Sequence, residues 1–224
     1  MTPRFNPDDL PASPDLSFEQ TLWQADLLFV AGLDEAGRGA WAGPVTAAAV
    51  ILPPDHPALM KQLEGVRDSK QMTARQREHW ADCIRFVAYA WGVGWATCQE
   101  IDQFGILPAT RLAMQRAVSA LPCQPQHLLL DAVRLPALPV PQTPLIKGDA
   151  RCLSIAAASV LAKTARDAHM RDLELLYPGY GFAFHKGYGT AIHQEALHRL
   201  GPCEIHRRTY EPIRLCLEPP PDAA

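Results

Sequence analysis

Residues 27–39 read LLFVAGLDEAGRG, and this stretch decides the fold. Leu27 to Leu33 is an unbroken apolar run, the pattern of a strand buried on both faces. It delivers two carboxylates, Asp34 and Glu35, and then Gly37 and Gly39 on either side of Arg38. Two acids at the mouth of an apolar strand are costly unless they meet a cation or a hydrogen-bond donor. Successive strand residues face opposite sides, so the pair is expected to converge only if the chain leaves regular pleating there. The glycines would permit that turn and let backbone approach a ligand closely. A solvated strand end with a glycine turn explains the acid pair alone at least as well. Gly37, Gly39 and Ala42 also fit the G-x-G-x-x-A dinucleotide fingerprint. That fingerprint must open a helix, whereas Gly43-Pro44 leads into another strand-like run.

That next run, Val45 to Leu52 (VTAAAVIL), is closed by Pro53 and Pro54. Thr73 is placed to cap a helix through Arg85, and Phe86 to Thr97 reads as a third strand. Pro108 to Leu121 is amphipathic and helical, with proline in the first turn, where its missing N–H costs little. His127 to Leu130 is a short strand ending in Asp131, and Leu145-Ile146 marks another before Lys147-Gly148-Asp149. Ser154 opens a long helix that Pro178 stops. Its alanine-rich first half predicts close packing against a sheet. A shorter helix is expected from Thr190 to Leu200. Three early strands followed by alternating helices and strands predict an α/β fold, a mixed β-sheet with helices on both faces. The chain divides into a flexible arm (1–17), the main domain (18–176), a small helical C-terminal extension packed on it (177–218) and a tail (219–224).

Composition sets broad limits. The chain has 224 residues, 48% of them hydrophobic and 20% charged, as in an ordinary globular enzyme. No apolar run approaches the roughly 20 residues that span a bilayer, and residues 1–19 lack the basic start and apolar core of a secretory signal. A cytoplasmic protein is expected. The six cysteines form no C-x-x-C pair, so most are expected as buried thiols and a zinc site is not expected. A net charge of -3 counts against a strongly basic nucleic-acid binder. Between His185 and Tyr210, however, Lys186, Arg199, Arg207, Arg208 and four histidines face only two glutamates. That segment allows a local basic surface.

Asp131 and Asp149 each follow an apolar segment. One such acid is usually a turn residue; together with Asp34 and Glu35 they suggest a cluster that would repel itself without divalent cations. Hard ions such as Mg²⁺ or Mn²⁺ take oxygen ligands of this kind.

The same landmarks, in order, carry a resemblance. GLDEAGRGxWAGPV from Gly32, DSK from Asp68, ILPATRLAM from Ile106 and LLLD ending at Asp131 are followed by KGDA from Lys147. SIAAASVLAKTARD from Ser154, YPGYGFAFHKGYGT from Tyr177 and HRRTY from His206 complete the set. The chain resembles bacterial ribonuclease HII from about Leu27 to Pro212. The resemblance implies an RNase H-like fold and an enzyme that hydrolyses RNA in RNA/DNA hybrids and incises DNA at embedded ribonucleotides. It implies a two-ion Mn²⁺ or Mg²⁺ site held by Asp34, Glu35, Asp131 and Asp149. Gly37, Arg38 and Gly39 would read the ribose 2′-OH, the group that tells RNA from DNA. Tyr188, with Tyr180 as the competing assignment, would sense the junction. Lys70, Lys147, Lys163 and Lys186 lie in the matched segments and would meet phosphates. Ser159, Arg166 and Asp167 are expected to serve packing. A monomer is expected. Two rival readings are a non-catalytic nucleic-acid-binding relative, which would lack one of the four acids, and another metal-dependent phosphoryl transferase, which would lack the G-R-G and HKGYGT elements. Both sets of features are present.

Overall fold

The computed structural model describes residues 10–218. Its centre is a five-stranded sheet: β1 (Val30–Ala36), β2 (Val45–Ile51), β3 (Ala90–Ala96), β4 (His127–Asp131) and β5 (Gln142–Leu145). The spatial order is β3-β2-β1-β4-β5. The first three strands pair antiparallel, while β4 runs parallel to both β1 and β5. Helices α1 (Ser17–Trp23), α2 (Leu59–Gln62), α3 (Ala74–Val87), α4 (Cys98–Phe104), α5 (Ile106–Ser119) and α6 (Leu153–Leu176) belong to the same layered unit. Helices α7 (Phe182–His185), α8 (Ala191–Leu200) and α9 (Glu211–Leu217) form the C-terminal part.

Strand alternation sorts the core into two faces. Ala31 and Leu33 of β1 pack with Ala47, Ala49 and Ile51 of β2 against Ala109, Ala113, Met114 and Ala117 of α5. On the other face, Ala48 and Val50 meet Ala81 and Ile84 of α3 and the run Ala156 to Ala162 of α6. Small side chains on α6 let its backbone approach β1 closely: a Cβ at Gly32 would lie 2.2 Å from the Ser154 carbonyl carbon. The mixed sheet and the sheet-packed alanine helix expected from the sequence are both present. So is the Thr73 cap, as a capping box with Gln76.

Five helices escaped the sequence reading: α1, α2, α4, α7 and α9. The strand expected up to Thr97 ends at Ala96, because Thr97 and Glu100 form a capping box for α4. Helix α9 begins with Pro212 in its first turn. Helix α1 begins at Ser17, at the end of the segment expected as a loose arm, and Asp15 and Leu16 of that segment are tied to the fold. Asp15 exchanges backbone hydrogen bonds with Arg151 and Leu153, and Leu16 is buried. Glu19 of α1 is wholly buried, and its Oε1 accepts from the Ser154 amide at 2.8 Å. A distant carboxylate thus caps α6, which has no side-chain cap of its own. Residues 1–9 of the arm and the tail, 219–224, lie outside the described residues. Of the six cysteines only Cys98 and Cys152 are buried, fewer than expected, and all are free.

The basic surface allowed between His185 and Tyr210 does not form as expected. His185, His193, His206 and Arg207 are buried, and only part of the segment's charge, including Arg199 and Arg208, is exposed. Inside an apolar cluster containing Phe182 and Tyr180, His193 and His206 are bonded to each other and His185 stacks on His193. His193 Nε2 and His206 Nε2 are 3.0 Å apart, and His193 Nδ1 lies 3.0 Å from the Tyr188 carbonyl. His206 Nδ1 accepts from the Cys203 amide at 2.9 Å. These partners require His193 to donate to Tyr188 and accept from His206, both rings neutral. Burial holds both rings down, to about 4.

A histidine whose folded pKa is depressed binds its proton earlier in the unfolded chain, so stability falls as pH drops from about 6.5 toward 4. Between pH 7 and pH 5 these two rings are expected to remove on the order of 2 kcal/mol of stability, an effect that the raised carboxyls of Asp34 and Glu35 oppose. Urea unfolding of the wild type and of His193→Gln at the two pH values isolates the rings, since the acids act alike in both, and an equal pH dependence in the two proteins would contradict the buried pair.

Candidate active site

Strand β1 places Asp34 and Glu35 near its C-terminal end, where the chain is still paired with β2 through Ala36↔Thr46. The chain therefore does not leave regular pleating to bring the two acids together, contrary to expectation. Asp34 shares the α6 face with Gly32, while Glu35 shares the α5 face with Leu33. The parallel register Leu33↔Leu130 places the next pair of positions, Asp34 and Asp131, side by side at the C-terminal ends of two adjacent interior strands. Asp131 reaches toward the segment after β5, accepting from the Gly148 amide at 2.8 Å. Asp149 stands in a short 3-10 turn, Gly148–Ala150, between β5 and α6. It is carried by a turn braced on Asp131 and not by a strand end.

The acids are electrostatically loaded. Asp34 is buried, and burial raises its carboxyl well above the usual range, with Glu35, Asp131 and Asp149 adding repulsion and the Ser159 hydroxyl opposing them. Burial also raises Glu35, against the pull of Arg38. Asp149 is raised by burial and by Asp131 and Asp68. Arg38 Nη1 donates to Glu35 Oε1 at 3.0 Å, but Glu35 Oε2 is buried with no partner. Lys70 lies 3.6 Å from Asp149 Oδ2 and 3.9 Å from Asp68 Oδ1. Burial lowers its pKa, yet the surrounding acids outweigh that and raise it. Among the described residues no three acids, histidines or cysteines are drawn into a ready-made cage for an ion. Sites that leave positions for water and phosphate oxygens need no such cage.

The remaining residues fall into two groups. Gly37 has φ +93°, and a Cβ there would meet Arg166 Nε at 2.0 Å, so glycine is required on both counts. A Cβ on Gly39 would meet nothing within 4 Å, which marks the open side of the turn. As the failed fingerprint context implied, no helix follows this turn; Pro44 leads into β2. Lys147 is exposed and left-handed, two residues before Asp149. Lys163 lies instead beside Tyr188. Lys163 pairs with Asp167 at 2.7 Å, and its ammonium lies 5.4 Å from the Tyr188 ring centre. Lys186 donates to the Ala183 carbonyl. Tyr188 is half-buried, whereas Tyr180 is buried, stacked on Phe182 and bonded to the Gly201 carbonyl at 2.6 Å.

Sequence reasoning missed two contributors. Ser159 does more than pack, since its hydroxyl contacts Ser69 at 2.9 Å and acts on Asp34. Arg207, read as part of a basic surface, lies beneath the Gly37–Gly39 turn and donates to its carbonyls. Neither shows a local sequence signal, because their partners lie far along the chain. Arg166 and Asp167 brace the fold as expected. Arg166 bonds three carbonyls, and Asp167 also pairs with Arg77 at 3.3 Å.

Residues 31–212 match the family model for ribonuclease HII. The chain belongs to the ribonuclease HII family. It is 53% identical over 204 residues to the ribonuclease HII of Chloroflexus aggregans, covering 90% of this chain and 95% of that one. Among solved structures it is similar to the ribonuclease H2 of Pyrococcus horikoshii, with a TM-score of 0.71 at 27% identity over 84% of this chain and 96% of that one. It shares the fold of a ribonuclease HIII, Bst-RNase HIII, solved in complex with Mn²⁺. The TM-score there is 0.66 at 21% identity over 85% of this chain and 70% of that one. Membership of the ribonuclease HII family makes the chain an enzyme, a ribonuclease of the H type, as its sequence resemblance implied. Among the described residues, no helix is long and apolar enough to cross a membrane.

Proposed function

We propose that Asp34, Glu35, Asp131 and Asp149 are the catalytic acids with which this chain hydrolyses RNA in RNA/DNA hybrids and incises duplex DNA at embedded ribonucleotides. The products would be 3′-hydroxyl and 5′-phosphate ends. One observation carries the reading: acids from β1, β4 and the turn before α6 gather at the C-terminal end of the interior strands, where burial and mutual repulsion raise Asp34 and Glu35 Oε2 is buried without a partner. An orphaned buried carboxylate oxygen among other acids fits a hard divalent cation, Mn²⁺ or Mg²⁺. Asp34, Asp131 and Glu35 would hold one ion, and Asp149 with Asp34 a second. When bound, two such ions neutralise the acids, favour ionisation of the attacking water and stabilise the leaving oxygen.

The protein's own groups do the rest. Arg38, paired with Glu35, orients that carboxylate and stands beside the turn that would meet the ribose 2′-OH. Gly37 and Gly39 allow backbone to approach that hydroxyl, and the open side of Gly39 supplies the space. Tyr188 is the better placed of the two tyrosines to meet a sugar at the RNA–DNA junction, since Tyr180 is engaged in the core. Lys70, Lys147, Lys163 and Lys186 would neutralise backbone phosphates. A cytoplasmic monomer completes the proposal.

The test compares three duplexes, each with and without Mg²⁺ or Mn²⁺: all DNA, an RNA/DNA hybrid, and DNA carrying one ribonucleotide. Cleavage is expected only of the last two and only with metal. Cutting of all-DNA at a similar rate would remove the role given to Gly37, Arg38 and Gly39.

A further inference from the structure

Two arginines, Arg166 and Arg207, are completely buried, and among the described residues neither forms an ion pair with a carboxylate. Buried cations of this kind are costly to desolvate, and their hydrogen bonds must offset that cost. Their partners are backbone carbonyls, drawn mainly from one loop. Arg207 donates to the carbonyls of Gly37 and Arg38, both at 2.7 Å, and of Gly43 at 3.0 Å. Arg166 donates to Pro44 and Lys186, both at 2.9 Å, and to Ala42 at 3.1 Å. The Tyr210 hydroxyl adds a bond to the Arg38 carbonyl at 2.7 Å and accepts from Arg207 at 3.1 Å.

In a trans peptide, the carbonyl and the following amide N–H point in opposite directions. With the Gly37 and Arg38 carbonyls turned down onto Arg207, the amides of Arg38 and Gly39 point away from it. Gly39 is exposed, and a Cβ there would meet nothing within 4 Å, so the turn is open to a ligand. Successive outward N–H groups make a concave donor surface for an oxygen, and the buried guanidinium beneath adds positive potential. Arg166 holds the far end of the same loop and lies 5.4 Å from the Tyr188 ring centre.

We propose that Arg207 is a positioning residue for ribose recognition: by engaging the Gly37 and Arg38 carbonyls it aims the Arg38 and Gly39 amides at the ribose 2′-hydroxyl, while Arg166 ties this turn to the segment of Tyr188. The inference rests on the proposed role of the Gly37–Gly39 turn. It assigns ribose selectivity to side chains that never touch substrate.

Arg207→Lys keeps the charge but cannot reproduce the planar fork that serves several carbonyls at once. It separates aim from electrostatic attraction. Single-turnover cleavage is measured for wild type and Arg207→Lys on two duplexes, one with a ribonucleotide and one with its 2′-fluoro counterpart at the same position. Carbon-bound fluorine is at best a weak hydrogen-bond acceptor, so it cannot engage the aimed amides as the hydroxyl oxygen does. Wild type is expected to cut the ribonucleotide at least about a hundredfold faster. In Arg207→Lys that preference is expected to shrink by about tenfold, because only the ribonucleotide loses its aimed donors. Tyr210→Phe, a smaller lesion in the same network, is expected to shrink it less but in the same direction.

A purely structural role would slow both duplexes equally and leave the ratio unchanged, and that result would overturn the proposal. If Arg207→Lys fails to fold, as judged by circular dichroism, an unchanged ratio in Tyr210→Phe does the same. A wild-type enzyme without 2′-hydroxyl preference would instead defeat the underlying reading of the turn.

Discussion

Asp34→Asn is expected to abolish cleavage and, in the same molecule, to raise thermal stability measured in the absence of divalent ions. Burial and three neighbouring carboxylates raise Asp34 well above the usual range. A carboxyl that holds its proton more tightly in the folded state loses stability as pH rises through the window between its unfolded and folded values. At neutral pH its ionisation therefore works against the fold. Asparagine keeps the shape and the hydrogen-bonding capacity while removing the charge, so a gain on the order of 1 kcal/mol is expected in EDTA. Added Mg²⁺ or Mn²⁺ is expected to stabilise the wild type, which binds the ion only when folded, and to do little for the variant. Catalysis moves the other way. A charge contribution of several kcal/mol at the reacting phosphate corresponds to a loss of at least about a thousandfold in kcat. Activity within a few-fold of wild type would remove the central claim about the acids. A lower melting temperature in EDTA would remove the claim that they strain the fold.

The second large effect concerns Gly32, two residues before that acid. Its backbone needs no left-handed conformation, but a Cβ would lie 2.2 Å from the Ser154 carbonyl carbon and 2.5 Å from the Ile155 amide nitrogen. These are backbone atoms in the first turn of α6 and cannot swing aside like the end of a side chain. Gly32→Ala is expected to force α6 from the sheet at a cost of about 3 kcal/mol or more, a large part of the total stability of an average domain. Denaturant midpoints measure it. Gly39→Ala is the control, because its Cβ meets nothing: its stability should stay within about 0.5 kcal/mol of wild type, while a substrate-facing turn predicts that its activity falls. Equal stability losses in the two variants would mean that the close approach of β1 and α6 is misplaced.

Much of the architecture is legible along the chain because its causes are local. The apolar runs of β1 and β2, the threonine cap of α3 and the alanine-rich half of α6 all act within a few residues. Where two local signals overlapped, the strand pattern hid the helix signal: Thr97 and Glu100 form a capping box that reading β3 through Thr97 concealed. Charge proved the least reliable guide. A run rich in arginine and histidine between residues 185 and 210 implied a basic surface, yet the fold turns Arg207 and three histidines inward, where backbone carbonyls and one another satisfy them.

For Asp34 and Glu35, the sequence by itself determined that two acids end an apolar strand beside a glycine turn, because hydrophobic periodicity and glycine's lack of a side chain are properties of a short segment. Only the tertiary structure decided that the two lie on opposite faces of an undistorted strand, that Asp131 adjoins them through a parallel register, and that a turn rather than a strand brings in Asp149. It alone set Arg207, some 170 residues along the chain, beneath the turn. These arrangements depend on which carbonyl or carboxylate a distant side chain reaches once the sheet and helices have packed, and no local pattern encodes that.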